Sequence, residues 1–454
     1  MKKALQLFIV FAVVLSMIGC SKESTKTKET PDNPTATEAA SKPEDKEEPK
    51  VTEKAEVTEA ELSGKIVVWS SGDELSRFVE GFNKIYPNIE VEITVIPNSE
   101  FLTKLEPALA SGTDAPDIFT GESDYVKYLV DTDYWQDLRE EPYNIKQYED
   151  NIWDYVLSVG SDSEGAVKAL SFQASPGSIL YRRDMALQYL GTDKPEEISA
   201  MLTSYDKMLE VAQKLQESSD GKIKMFASWQ DIYNMQFSNR STGWVVDNTL
   251  QIDGTMLDFF DVAKTITDKG YDLNTDPWSG VWSAAVESDD TFCYVLPTWG
   301  YQFLVKPSAN TTIGQWALAE GPIPYVKGGT WLGIWKDSPN KELAWKLMEY
   351  ATCNSDSLKA YAKEYGEYVA LKSVDEELAK ETGEEVLGGQ NLYEFYNNEM
   401  TKIPGHNMTA YDGQINGMYL NAVKAYAAGT LGLDEAVQQF KGDVSNAYPD
   451  IIIE

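Results

Sequence analysis

The sequence predicts an α/β protein that divides into two domains or lobes and has a helical C-terminal third. Short β-rich runs alternate with segments of helical periodicity from residue 65 onward, and helical patterns dominate beyond residue 340. Such alternation is typical of α/β folds. The stretch from residue 63 to residue 454 is also longer than one hydrophobic core usually holds.

The first predicted unit is a strand, a helix and a second strand. Residues 65–69 read KIVVW, residues 75–85 carry apolar side chains at helical spacing, and residues 89–96 alternate apolar and polar side chains. Tyr86-Pro87 breaks the helix before the second strand. A βαβ unit is therefore expected.

The same rhythm continues along the chain. A helix over 101–109 precedes a short strand over 115–119, in which Asp117 is expected to fix the backbone at the strand end. Periodic apolar positions predict six further helices, over 204–216, 255–269, 340–352, 356–365, 412–428 and 433–447.

The N-terminus predicts export and lipid anchoring. Residues 1–19 combine two lysines with an apolar run that is shorter than a bilayer-spanning helix, which is typical of a signal peptide. Met17-Ile18-Gly19-Cys20 resembles the lipobox of bacterial lipoproteins, and this resemblance implies that Cys20 is lipidated and becomes the mature N-terminus. An ordinary signal peptide with a chance cysteine is the alternative.

Residues 20–62 are predicted to be the lipidated cysteine and a disordered linker. From residue 21 to residue 62 the sequence has no aromatic residue and is rich in Lys, Glu, Thr and Pro. Such a segment cannot bury enough apolar surface to offset its chain entropy. A long charged spacer suits a thick cell wall, so we expect attachment to the outer face of the cytoplasmic membrane of a Gram-positive bacterium.

Composition argues against several classes of function. The formal charge of −34 comes without a long basic patch, so nucleic acid is not an expected partner. Cys293 and Cys353 belong to no CxxC or Cys/His cluster, so neither a metal nor another cofactor is expected and the two thiols are predicted to be buried and free. Calcium is left open in so acidic a chain, although no EF-hand loop is present.

Three ordered stretches resemble a known family. They are residues 82–118, with YP and PDI motifs, residues 176–184, PGSILYRRD, and residues 292–368, with FCYVLPTWG, GGTWLGIW and YGEY. They resemble the extracellular solute-binding proteins (family 1) of carbohydrate ABC importers, which include maltose-binding protein. The resemblance covers nearly all of residues 65–454.

That resemblance implies a two-lobed periplasmic-binding-protein-like fold of class II type, with crossing hinge strands. It implies lobe 1 over 63–172 and 328–365, and lobe 2 over 173–327 with a C-terminal helical segment over 366–454. The implied function is capture of a mono- or oligosaccharide between the lobes and its delivery to a membrane permease with ATPase subunits. The protein is then expected to be a monomer and not an enzyme.

Candidate ligand-binding residues follow from the chemistry of sugars. A pyranose needs a flat apolar wall, for which Trp229, Trp299 and Trp331 are proposed, with Gly300, Gly328 and Gly329 allowing close approach of the backbone. Its hydroxyls need hydrogen-bonding groups, which in loops that the resemblance places near the cleft are Ser71, Asp73, Glu122, Ser123 and Glu367.

Other tryptophans and other functions remain open at this point. Trp244, Trp278 and Trp282 are interpreted as packing under loops, with a widened cleft for longer oligosaccharides as the alternative. A surface glycoside hydrolase would need two carboxyls at a set separation. A binding protein for a peptide or a polyamine is the third possibility, because a fold does not fix its ligand. His406 is expected in a loop.

Overall fold

The computed structural model describes residues 61–403 and 407–454. The predicted signal peptide, Cys20, the linker up to residue 60 and His406 lie outside the described residues. No helix in the described ranges combines the length and the apolar character needed to cross a membrane.

The strands of the described residues form two main sheets and one small pair. One sheet has the order β2-β1-β3-β11-β4, the other has the order β10-β5-β9-β6, and β7 pairs with β8. The strands are β1 Ser63–Ser70, β2 Asn88–Val95, β3 Ile118–Glu122, β4 Leu170–Ser171, β5 Gly177–Arg182, β6 Lys224–Phe226, β7 Val245–Val246, β8 Thr249–Leu250, β9 Thr291–Pro297, β10 Trp316–Ala319 and β11 Thr330–Ile334.

Several helices pack against these sheets, and the last two helices pack against each other. They are α1 Ser76–Ile85, α2 Asn98–Ser111, α3 Val126–Val130, α4 Asp154–Gly160, α5 Arg183–Met185, α6 Pro195–Met201, α7 Tyr205–Ser218, α8 Trp229–Ser238, α9 Gly254–Lys269, α10 Gly280–Ala284, α11 Thr298–Gly300, α12 Lys306–Ser308, α13 Lys341–Thr352, α14 Ser355–Tyr365, α15 Lys372–Leu378, α16 Leu392–Met400, α17 Asp412–Ala427 and α18 Leu433–Ala447.

Helix ends follow local capping chemistry. Ser204 accepts the Lys207 N–H at the start of α7, and Asn354 accepts the Ser357 N–H at the start of α14. Gly366 ends α14 in the left-handed conformation, with φ 72°, where a residue with a Cβ would be strained. The helices predicted from periodicity are therefore confirmed to within a few residues at each end.

The third strand begins later than predicted. Pairing with β1 starts at Ile118 rather than at residue 115. Pro116 has no N–H to donate, and the Asp117 carboxylate accepts the Val67 N–H at 2.8 Å and the Ser338 hydroxyl at 2.6 Å. The expected role of Asp117 in fixing the strand end is confirmed.

Two lobes result, each built around one of the main sheets. Three chain segments, 172–177, 325–330 and 366–371, cross between the lobes side by side. Lys327 N donates to Ser175 O at 2.9 Å, and Ala174 N donates to Tyr368 O at 3.1 Å. The predicted two-lobed α/β fold with crossing hinge strands is confirmed, while the domain boundaries proposed above stay predictions.

Each lobe buries one of the two described cysteines. Cys293 lies on β9 in the core of lobe 2, and Cys353 lies at the end of α13 in lobe 1. Both are free and buried, as predicted, and burial raises the pKa of both thiols. The thiolate form is thereby disfavoured in the folded protein.

Candidate functional site

A polar cluster forms where β1 and β3 end and β11 begins. The Ser71 hydroxyl donates to Glu122 Oε1 at 2.5 Å, and the Thr330 hydroxyl donates to the two oxygens of the same carboxyl at 3.0 and 3.2 Å. Ser123 N donates to Gly329 O at 3.1 Å. Parallel strands bring their carboxyl ends together, so the structure unites four of the predicted residues, Ser71, Glu122, Ser123 and Gly329.

The pKa of the Glu122 carboxyl is raised in the folded protein. Burial raises its pKa to about 7, against the lowering effect of the hydrogen bonds from Ser71 and Thr330, and the nearby charges of Glu74 and Asp124 raise it further. At neutral pH this carboxyl is present in both protonation states. It can therefore accept a hydrogen bond from a ligand hydroxyl or donate one to it.

Two other predicted polar residues lie apart from this cluster. Asp73 is exposed, and its backbone carbonyl accepts the Ser76 N–H where α1 begins. Glu367 is 2% exposed in the third crossing segment, and its Oε2 has no hydrogen-bond partner among the described residues. Burial raises its pKa to about 7, against the positive charge of Arg77. The structure thus places Glu367 inside the hinge instead of on a ligand-facing surface.

Two of the three predicted tryptophan walls are core residues, which corrects the expectation. Trp331 is the second residue of β11 and has 0% of its surface exposed, and its indole N–H donates to Val156 O at 3.0 Å. Trp229 begins α8 and is buried, with its ring beside Phe259. The Trp331 ring presents no free face to a ligand, whereas Trp229, with 6% of its surface exposed, lines a cavity together with Gln230 and Asp276.

The glycines beside these tryptophans serve ring packing. A Cβ on Gly328 would lie 2.6 Å from the Trp299 indole nitrogen, and a Cβ on Gly329 would lie 2.8 Å from the Trp331 ring. Gly300 packs similarly against Leu296. Both Gly328 and Gly329 have positive φ, at 92° and 111°, which also favours glycine. Close packing of side chains therefore accounts for Gly300 and Gly329, while Gly328 also lines a cavity between the lobes.

The third predicted wall, Trp299, belongs to an aromatic stack on lobe 2. Its ring stacks on Trp278 with centroids 5.6 Å apart and planes at 14°, and its indole N–H donates to Lys327 O at 2.8 Å. Trp278 in turn contacts Trp282 at 4.8 Å. Trp282 is fully buried, and its N–H donates to the buried Asp231 carboxylate at 2.8 Å. This hydrogen bond thus fixes the buried member of the stack, Trp282.

Trp278 is the exposed member of the stack. Its side chain is 51% exposed and its backbone has φ 63°, a conformation that bulky residues rarely adopt. Strained backbone that holds a large apolar ring in solvent is characteristic of binding sites. Sequence reasoning favoured packing under a loop for Trp278, because the positive φ cannot be read from the polar sequence around it.

The two lobes meet at a narrow interlobe cavity. Lobe 1 contributes Ser123, Asp124 and Tyr155, lobe 2 contributes Tyr233 of α8, and Lys327 and Gly328 contribute from the second crossing segment. The cavity has about 30 Å³ of free space, which is room for about two water molecules. A ligand larger than water can enter only when the lobes separate.

Two contacts hold the lobes together beside this cavity. The Lys327 ammonium lies 3.3 Å from an Asp124 carboxylate oxygen. Gly413, at the start of α17, packs against the Asp124 backbone so closely that a Cβ there would lie 2.3 Å from the carbonyl oxygen. Sequence reasoning missed Asp124, Lys327 and Tyr155, although Asp124 directly follows the predicted Ser123.

The site has the chemistry of binding more than that of a metal centre. Within the described residues, no group of three or more His, Cys, Asp or Glu side chains is placed to hold a metal ion. The lining combines carboxylates, hydroxyls, one ammonium and aromatic rings. This set can hydrogen-bond a polar ligand and stack on an apolar face.

Two α/β lobes, three crossing segments and a cavity between the lobes define a two-lobed solute-binding protein. The family model for bacterial extracellular solute-binding proteins matches residues 77–385, and the chain belongs to that family. A search of curated protein sequences finds no match.

Solved structures share this fold across most of both chains. An extracellular solute-binding protein of family 1 has a TM-score of 0.75 at 17% identity, covering 84% of this chain and 99% of that one. MalE, a sugar-binding protein from Xanthomonas citri, has a TM-score of 0.68 at 16% identity, covering 84% and 97%. An ABC transporter associated binding protein from B. animalis subsp. lactis Bl-04, solved with β-1,6-galactobiose, has a TM-score of 0.66 at 20% identity, covering 87% and 100%. At these identities the likeness establishes the fold.

Proposed function

We propose that this protein captures a carbohydrate between its lobes and delivers it to the permease of an ABC importer. The observation that carries the proposal is the exposed Trp278 ring, which stacks on Trp299. The Trp299 indole N–H in turn donates to the backbone carbonyl of Lys327, a residue that lines the interlobe cavity. A pyranose has one face of C–H groups that stacks on such a ring. Its hydroxyls find partners in the polar residues of lobe 1, Glu122 and Ser123.

The similar structures support the same class of ligand. One of them is described as a sugar-binding protein and another was solved with a galactose disaccharide. Both are related to this chain only at the level of the fold, so the identity of the sugar is left to experiment. No cofactor is needed for capture by stacking and hydrogen bonding.

A panel of sugars tests the ligand class. We expect glucose, galactose, maltose, β-1,6-galactobiose or their longer homologues to raise the melting temperature of the full chain in a concentration-dependent way, since a ligand that binds only the folded state stabilises it. A tripeptide mixture and spermidine form the comparison arm. Stabilisation by the peptides or by spermidine with no response to any sugar would contradict the proposal.

We further propose that the protein binds sugar without cleaving it. Hydrolysis requires two carboxyls flanking the scissile bond. Glu122 and Glu367 both have a pKa raised to about 7, but Glu367 lies in the hinge and is not among the residues that line the cavity. Chromatography of a bound oligosaccharide after prolonged incubation should return it intact, and appearance of shorter products would favour a glycoside hydrolase instead.

The proposed setting is the outer face of the cytoplasmic membrane. Lipidation of Cys20 would hold a monomer on a linker of residues 20–62, close to a permease with its ATPase subunits. Metabolic labelling with radioactive palmitate should mark the wild-type chain and not the Cys20→Ala variant. Equal labelling of both chains would rule out this anchor.

A further inference from the structure

A second groove lies where the lobes meet at the outside. Helices α2 and α3 of lobe 1 form one wall, and the residues around the start of α17 and the end of α18 form the other. The groove has a volume of about 490 Å³, compared with about 30 Å³ in the interlobe cavity. This volume lies within the range of ligand sites, which is roughly 300–1,000 Å³.

Four half-buried tyrosines line the groove, two from each lobe. Tyr125 and Tyr128 belong to lobe 1, and Tyr411 and Tyr448 belong to lobe 2. The Tyr128 hydroxyl donates to Glu106 at 2.6 Å, which fixes its ring. Tyr411 and Tyr448 meet edge to face at 5.2 Å and 89°. The groove thus has rigid apolar walls that are partly open to solvent.

The polar lining of the groove consists mainly of hydrogen-bond acceptors. Its lining includes the carboxylates of Glu106, Asp124 and Asp131, and its lining residues, all within the described part of the chain, include no lysine or arginine. Asp124 pairs with Lys327, Asp131 lies 3.8 Å from the Lys127 ammonium, and Glu106 accepts the Tyr128 hydroxyl, so these carboxylates already have partners and can accept further hydrogen bonds. A neutral polyol is favoured, because carboxylates accept its hydroxyls and tyrosine rings cover its apolar faces.

The groove lies next to the interlobe cavity. Asp124 lines both spaces, and the contact between its backbone and Gly413 marks the boundary between them. Because the interlobe cavity has about 30 Å³ of free space, a sugar ring fits between the lobes only after they move apart. A ligand that then extends past Asp124 enters the groove, where contacts with both lobes favour a closed arrangement over a fully open one.

We infer that the tyrosine groove binds the outer rings of an oligosaccharide whose inner end lies between the lobes. The inference rests on the proposed carbohydrate function and deepens it: the ligand is an oligosaccharide, and a monosaccharide occupies only part of the site. Affinity is then expected to rise with the number of rings.

Calorimetric titration of the full chain with two length series tests this inference. The series are glucose, maltose, maltotriose and maltotetraose, and galactose with β-1,6-linked galactose di-, tri- and tetrasaccharides. Tyr128→Ala and Tyr411→Ala should each weaken binding of the tri- and tetrasaccharides about tenfold and leave the monosaccharide unchanged. Tyr128→Leu and Tyr411→Leu keep apolar bulk, and serve as second variants if the alanine chains do not fold.

Tyr426→Ala is the matched control. Tyr426 lies near the end of α17, the helix that begins next to Tyr411. Its ring packs on Phe260 and its hydroxyl donates to Asp261, away from the groove. Its oligosaccharide affinity should equal that of the wild type. Two results would overturn the groove inference alone. One is that the wild-type chain binds mono-, di-, tri- and tetrasaccharides with equal affinity. The other is that the groove variants lose as much affinity for the monosaccharide as for the longer sugars. Absence of binding to every sugar would overturn both the inference and the proposed function.

Discussion

Trp331 in lobe 1 and Trp299 in lobe 2 have similar neighbours in sequence but differ in how their rings are packed. Each has a glycine within two residues, yet Trp331 is fully buried in β11, while Trp299 lies in the short helix α11 and stacks on an exposed ring. Strand β11 is flanked by β3 and β4, so its residues have neighbours on both sides. A glycine beside tryptophan therefore indicates tight ring packing, and the element that carries the ring decides whether a ligand can reach it.

The lobes differ in the same way at the site. Lobe 1 offers a hydrogen-bonded cluster around Glu122, whereas lobe 2 offers the aromatic stack of Trp278 and Trp299. Polar recognition and stacking are thus divided between two bodies that must approach each other. Each of the following experiments tests one side of this division.

Trp331→Ala should have the largest effect, and the effect should be on stability. Truncation of a fully buried large aromatic side chain typically costs about 3–5 kcal/mol, because it leaves a cavity. Urea unfolding monitored by circular dichroism measures this cost, and Trp331→Phe should lose less. A stable Trp331→Ala chain with impaired ligand binding would mean that Trp331 is a ligand wall after all.

Gly413→Ala should impair closure of the lobes. The added Cβ would lie 2.3 Å from the Asp124 carbonyl oxygen, so the start of α17 and the loop after β3 must move apart. We expect affinity for the sugar to fall by more than about tenfold, because the ligand must then oppose this repulsion to reach the closed state. Isothermal titration gives the affinity and small-angle scattering gives the lobe separation.

Gly417→Ala is the control on the same helix. A Cβ there would meet nothing within 4 Å, so affinity should be unchanged and the helix slightly stabilised. If both alanine variants bind like the wild type, the Gly413 contact does not control closure.

Trp278→Ala should weaken sugar binding about five- to tenfold with little effect on folding. The ring is half exposed, so its loss removes stacking surface for the ligand and creates no core cavity. Val281→Ala, which removes another exposed apolar side chain from the same region, should leave affinity unchanged. Equal losses in the two variants would point to a general loosening of this region instead of stacking.

The last expected effect is on the pH dependence of stability. The pKa values of Glu122 and Glu367 rise from 4.5 to about 7 on folding, so the folded state binds these protons more tightly than the unfolded chain. Their contribution to stability therefore decreases as pH rises from 4.5 to about 7. Glu122→Gln and Glu367→Gln should flatten the melting temperature between pH 5 and pH 8, since glutamine does not titrate.

Glu90→Gln provides the comparison for the pH experiment. Glu90 of β2 is exposed and forms an ion pair with Lys65 of β1. Its substitution should leave the pH profile of the wild type unchanged. If Glu122→Gln and Glu367→Gln keep the wild-type dependence of melting temperature on pH, neither glutamate titrates near neutrality.

Sequence reasoning succeeded where local rules apply. The bounds of α7 and α14 follow from caps at Ser204 and Asn354 and from Gly366, which act within a few residues. The meeting of Ser71 with Glu122 follows from the common direction of β1 and β3. These features need only periodicity, capping and strand order.

It failed where distant parts of the chain meet. The buried state of Trp331 depends on strands more than 150 residues away in sequence. Trp278 is exposed and has a positive φ, and neither property can be read from its neighbours in sequence. The approach of Asp124 to Lys327 and Gly413 exists only after both lobes have formed. Single-residue patterns contain no information on such contacts.

The two buried thiols offer a means to observe each lobe separately. Cys293 lies in the core of lobe 2 and Cys353 in the core of lobe 1, and both are reduced and shielded from solvent. A thiol reagent can modify either one only when its own lobe opens. Mass spectrometry of the labelled peptides would therefore record, without any engineered probe, which lobe opens first and whether a bound sugar protects one lobe or both.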